Sequence, residues 1–167
     1  MSPIQKSRKD KVYVDTDVLI NVFKEEKDRS KNSTAFFYVC LSKSSKTILL
    51  TSDLLYREAF GVSKDQQLNI SEDNVLYRLL RDDSKIVKIQ ASKEQIELAK
   101  KFGGQNWKDL LHYMLAKQLD ADYLVSNNIP HMRHVKQIYA DRINEYKKEI
   151  KILKPREYLE IIEKEVV

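Results

Sequence analysis

Apolar positions along the chain fall into two kinds of run that alternate. Short runs rich in β-branched and aromatic residues occur at 11–15 (Lys-Val-Tyr-Val-Asp), 47–51 (Thr-Ile-Leu-Leu-Thr), 86–89 (Ile-Val-Lys-Ile), 122–126 (Asp-Tyr-Leu-Val-Ser) and 150–153 (Ile-Lys-Ile-Leu), and they predict strands. Between them lie segments of helical character: Val18 to Phe23, Ser33 to Ser42, Ser52 to about Val62, Glu72 to Leu80 and Lys93 to Lys101. Trp107, Leu110, Leu111, Met114 and Leu115 recur at helical spacing and form the most regular periodic segment of the chain. Gly103-Gly104 breaks the chain just before it. A mostly polar helical insertion is expected over 131–148, and a closing helix begins at Pro155, whose missing N–H costs nothing there. Strands separated by helices predict an α/β protein, a mostly parallel five-stranded sheet covered on both faces. In such sheets ligands bind beyond the carboxyl ends of the strands, near a switch in strand order.

Composition narrows this without redirecting it. With 167 residues, 42% hydrophobic and 33% charged, the chain suits one domain spanning 1–167, with 1–10 read as a flexible basic tail. The single cysteine, Cys40, lies in the apolar stretch Ala35-Phe36-Phe37-Tyr38-Val39-Cys40-Leu41 and reads as a buried, inert thiol, which fits a reducing compartment. No apolar segment of signal-peptide length follows the charged start (Gln5 to Lys11), and Ile48-Leu49-Leu50 is far too short to span a bilayer, so a cytoplasmic protein without membrane association is expected. A net charge of +5 and a pI of about 9.1 are compatible with a nucleic-acid partner, while charge alone favours a solvated lysine-rich surface.

Chemistry concentrates in acids near strand ends. Asp15 directly follows Val12-Tyr13-Val14; it reads either as a turn acid or as a site acid, while Asp17 reads as a helix cap. Glu58 shares a helical stripe with Leu54, Leu55, Ala59 and Val62, where a charged carboxylate needs a cationic partner, a metal or the mouth of a cleft. Asp109 sits in the first turn of its helix, a favourable place for a capping acid. Ser126 ends the fourth strand, and Asn127-Asn128 after it reads as a turn.

Taken in order, three segments resemble the PIN-domain family of metal-dependent ribonucleases. They are Val12 to Ile20, Thr51 to Glu58, and Lys108 to Ala116 continuing through Asp120 to Asn128. The resemblance covers most of the chain and implies a three-layer α/β/α sandwich of PIN type. It implies Asp15, Glu58 and Asp109 as acidic ligands of Mg²⁺ or Mn²⁺, Asn128 as a further catalytic position, and Thr16 and Ser126 as pocket support. It also implies an RNA substrate, a homodimer, and either a toxin of the VapBC type silenced by a small antitoxin protein or an RNA-processing nuclease. The chain departs from the family where Asn128 replaces a frequent acid, and an amide oxygen ligates a hard cation more weakly. His131, Arg133, His134 and Lys136 are candidates for contact with RNA phosphates or for a solvated helix face.

Two other readings compete. Asp15-Thr16-Asp17 after an apolar strand, with Thr51 ending the second, resembles haloacid-dehalogenase-like phosphatases, in which Asp15 would attack phosphorus. A PIN-like domain that binds RNA or protein without cutting is the non-enzymatic alternative.

Overall fold

The computed structural model describes residues 9–23, 27–42, 45–54, 86–143 and 148–165. Their elements are β1 (Asp10–Val14), α1 (Thr16–Phe23), α2 (Lys27–Leu41), β2 (Thr47–Ser52), β3 (Ile86–Ile89), α3 (Lys93–Gly103), α4 (Trp107–Gln118), β4 (Tyr123–Val125), α5 (Ile129–Arg142), β5 (Lys151–Leu153) and α6 (Pro155–Glu165). A single 3₁₀ turn, Gly104–Asn106, joins α3 to α4. The expected helix over 72–80, most of the one beginning at Ser52, and most of the basic tail lie outside the described residues.

All five strands pair in parallel in the order β3-β2-β1-β4-β5. Parallel strands need crossover connections, which bring helices onto both faces of the sheet and bury it twice. The alternation of side chains along each strand sorts the core accordingly. Val12, Val14, Leu49 and Val125 pack with Val18, Leu19, Phe36, Phe37 and Tyr158 from α1, α2 and α6. Tyr13, Leu50 and Leu124 pack with Leu110, Leu111, Leu115, Met132 and Val135 from α4 and α5. The result is the three-layer α/β/α sandwich expected from the sequence.

Local chemistry explains the element ends. Ser92 caps α3 by accepting from Gln95 N, while the Gln95 side chain accepts from Ser92 N, a reciprocal capping box. Gly104 takes a φ of +53°, which glycine reaches at no steric cost, and so turns the chain from α3 into α4. Helix α2 begins at Lys27, earlier than the expected Ser33, because its first turns are polar and carry no apolar period. Cys40 is fully buried, and burial pushes its thiol up to about 12, in keeping with an inert core residue.

The segment expected as a polar insertion over 131–148 contains the crossover between β4 and β5. Helix α5 starts at Ile129, accommodates Pro130 in its first turn, and ends at Arg142, while residues 148–150 are not helical. Its Met132, Val135 and Tyr139 recur at helical spacing and are buried in the core, and Tyr139 stacks edge-on against Tyr113 of α4. The opposite face carries the polar residues that dominate its composition: Arg133 and His134 are exposed, and Lys136 pairs with Glu149 at 2.7 Å.

Met132 is 0% exposed, so Met132→Ala should lower stability by about 2–5 kcal/mol in urea unfolding. A peripheral insertion would lose less than about 0.5 kcal/mol, as surface substitutions do.

Candidate functional site

Strand order reverses at β1, which lies between β2 and β4, so the C-terminal ends of β1 and β4 border the crevice where such sheets hold ligands. Asp15 stands at the end of β1 and extends the ladder, its N–H donating to the Val125 carbonyl at 3.0 Å. Its side chain is held on both oxygens. Thr16 N donates to Oδ1 and Ser126 Oγ to Oδ2, each at 2.8 Å, and the residue is only 4% exposed. Ser126 in turn accepts from Asn128 N at 2.9 Å, so its single hydroxyl ties the β4–α5 turn to the acid.

Asp17 does not act as the helix cap expected from its local sequence. Because α1 begins at Thr16, Asp17 lies inside the first turn, and its carboxylate reaches across to β4. Asn127 N donates to its Oδ2 at 3.0 Å and its Oδ1 at 3.2 Å. Burial and then the neighbouring Asp15 charge push Asp17 up to about 8; the Asn127 bond and His112 pull the other way, and Asp109 adds to the rise. The field of all three acids is therefore felt in one crevice.

Asp109 lies in the first turn of α4 with its side chain 28% exposed, and His131 Nδ1 is 3.6 Å from its Oδ2. One helical turn along α4, His112 is buried at 1% exposure between β1 and the acids. Its Nδ1 meets Tyr13 Oη at 2.8 Å, and its Nε2 meets Thr16 Oγ1 at 3.1 Å and lies 3.7 Å from Asp15 Oδ1. Sequence reasoning missed both His112 and Asp17. The available signal was a histidine inside the apolar run Leu110 to Ala116, where a buried polar ring requires partners. Asn128, the amide in place of an acid, directs its Nδ2 at His131 Nδ1, 2.9 Å away. Glu58 lies outside the described residues.

The donor set here is oxygen-rich and hard, the chemistry that Mg²⁺ and Mn²⁺ select. Burial is the main cause of the lift at Asp17; the neighbouring Asp15 charge comes second, and that repulsion is of the kind a bound cation relieves. Among the described residues no three Asp, Glu, His or Cys side chains are gathered into a group that could hold a metal. The described acids therefore fit the chemistry of a divalent cation but supply only part of a ligand shell.

No family model and no curated protein matches the chain. Among the described residues, no helix is long and apolar enough to cross a membrane.

Asp17 yields a test in chelator. A carboxyl raised from 3.8 to about 8 contributes stability that is full below pH 4 and is lost as pH rises through 8. Asp17→Asn keeps an acceptor for Asn127 but cannot ionise, so its melting temperature should gain on that of the wild type progressively between pH 4 and 8. A constant difference across that window in thermal melts would show that Asp17 is not a lifted acid.

Proposed function

We propose that this protein is a metal-dependent ribonuclease of PIN type, hydrolysing RNA phosphodiester bonds with Mg²⁺ or Mn²⁺ at the crevice between β1 and β4. The observation that carries the reading is the placement of Asp15 and Asp17 at the reversal of strand order, with the field of Asp109 reaching Asp17. In this reading Asp15, Asp109 and Glu58 hold the cation, with Asp17 beside them. A divalent ion bound there lowers the pKa of a water and stabilises charge on the phosphate.

The chain's own residues prepare the place. Thr16 N and Ser126 Oγ fix the Asp15 carboxylate in one orientation, so it need not reorganise. Tyr13 and Thr16 hold His112 between the layers, and His112 links the helix bearing Asp109 to the strand bearing Asp15.

The phosphatase reading is less well supported. The strand β4 is followed by Ser126, Asn127 and Asn128, none of them acidic. Within the nuclease reading, the resemblance extends the proposal to a homodimeric toxin neutralised by an antitoxin protein, or to an RNA-processing enzyme.

The deciding experiment is incubation of the purified protein with mixed cellular RNA, in Mn²⁺ and in chelator. Cleavage is expected only with metal. Asp15→Asn, Glu58→Gln and Asp109→Asn should each slow it by about two to three orders of magnitude, with folding retained in circular dichroism. Full activity in a folded Asp109→Asn protein removes the metal assignment. Turnover of small phosphate esters with RNA left whole would favour the phosphatase.

A further inference from the structure

The side chain that replaces an acid after β4 has a definite partner. Asn128 Nδ2 lies 2.9 Å from His131 Nδ1. An amide nitrogen offers only N–H donors, so His131 Nδ1 must accept with its lone pair. Asp109 Oδ2 lies 3.6 Å from the same nitrogen, longer than a hydrogen bond. A neutral imidazole that accepts at Nδ1 carries its proton at Nε2. The Asn128 amide thus selects the tautomer with an Nε2–H donor. The ring sits on the first turn of α5, its side chain 55% exposed, at the rim of the acidic crevice.

We propose that His131 is a substrate-positioning residue whose Nε2–H donates to a non-bridging phosphate oxygen of the RNA strand, with Asn128 fixing the tautomer that permits it. This rests on the nuclease reading for its substrate. The physical need is plain. A polyanion approaching a cluster of carboxylates is repelled, and an N–H donor held beside them offers a phosphate oxygen a partner. A carboxylate in place of Asn128 could only accept, and would draw the imidazole proton to Nδ1.

Such a residue acts on strand binding rather than on the cation. His131→Ala should therefore raise KM for RNA cleavage about tenfold, with kcat and the Mn²⁺ affinity read by electron paramagnetic resonance unchanged. His131→Gln, whose amide restores an N–H donor, should recover most of the loss. Long-range ¹H–¹⁵N correlation spectra of the wild type at alkaline pH should show His131 protonated at Nε2. In Asn128→Ala, which removes the amide donor, that preference should fade and KM should rise in parallel. Protonation at Nδ1 in the wild type overturns the proposal, as does an unchanged KM in His131→Ala or a loss of Mn²⁺ affinity equal to the loss of activity. If the wild type leaves RNA uncut, the nuclease reading fails on its own. The His131 assignment is then decided by anisotropy of a fluorescein-labelled RNA oligonucleotide: tenfold weaker binding to His131→Ala upholds it, and equal binding overturns it.

Discussion

Two carboxylates buried side by side cannot both remain charged unless something answers each of them, and the arrangement around Asp15 and Asp17 is organised by that constraint. Thr16 N and Ser126 Oγ answer Asp15, and Asn127 N answers Asp17. One donor comes from the β1–α1 junction and the other two from the end of β4, so the bonds that solvate the acids also fasten the two strands at their C-terminal ends. The compensation is incomplete. Asp17 remains lifted to about 8, so near neutral pH it keeps its proton, and the pair carries less charge than two free carboxylates would.

The layers meet at the same place. Residues of β1 alternate between the two cores: Val12 and Val14 enter one, and Tyr13 enters the other. Tyr13 spends its hydroxyl on His112, which reaches Thr16 and approaches Asp15, so the register of one strand sets both the packing and the orientation of the acid at its tip. A one-residue slip of β1 against β4 would invert that alternation and move Asp15 away from Ser126 together. The buried hydrogen bonds around His112 and the acids therefore specify register, as connected polar networks in a core can do.

The architecture was legible in the sequence because each strand is a short apolar run bounded by turn residues, and because the α4 run from Trp107 to Leu115 keeps its period. Asp15 was legible as a strand-end acid for the same reason. The start of α2 was not, since helix formation there follows packing that begins only at Phe36. The place of α5 in the core was obscured by its composition: three buried residues suffice to dock a helix whose remaining face is polar. Asp17 was hidden by a local rule. Helix capping explains an acid near a helix start, while the bond that engages it comes from Asn127, far along the chain. His112 was hidden in an apolar stripe, where its neighbours Leu111 and Tyr113 drew the eye to packing. Asp109 rose above a capping acid only through resemblance, because its neighbours Asp17 and His131 belong to other elements.

Asn128 shows how charge is distributed across the crevice. A further carboxylate at that position would add to the repulsion that already lifts Asp17. The amide instead brings donors: its backbone N–H reaches Ser126, and its side chain engages His131. The acids Asp15, Asp17 and Asp109 come from the β1–α1 junction and α4, whereas Asn127 N and the Asn128 amide come from the β4–α5 turn, with His131 just beyond. One side of the crevice is thus acidic and the other rich in N–H groups. Those N–H groups are engaged by Asp17, Ser126 and His131, so the β4–α5 turn answers the acids instead of adding to their charge.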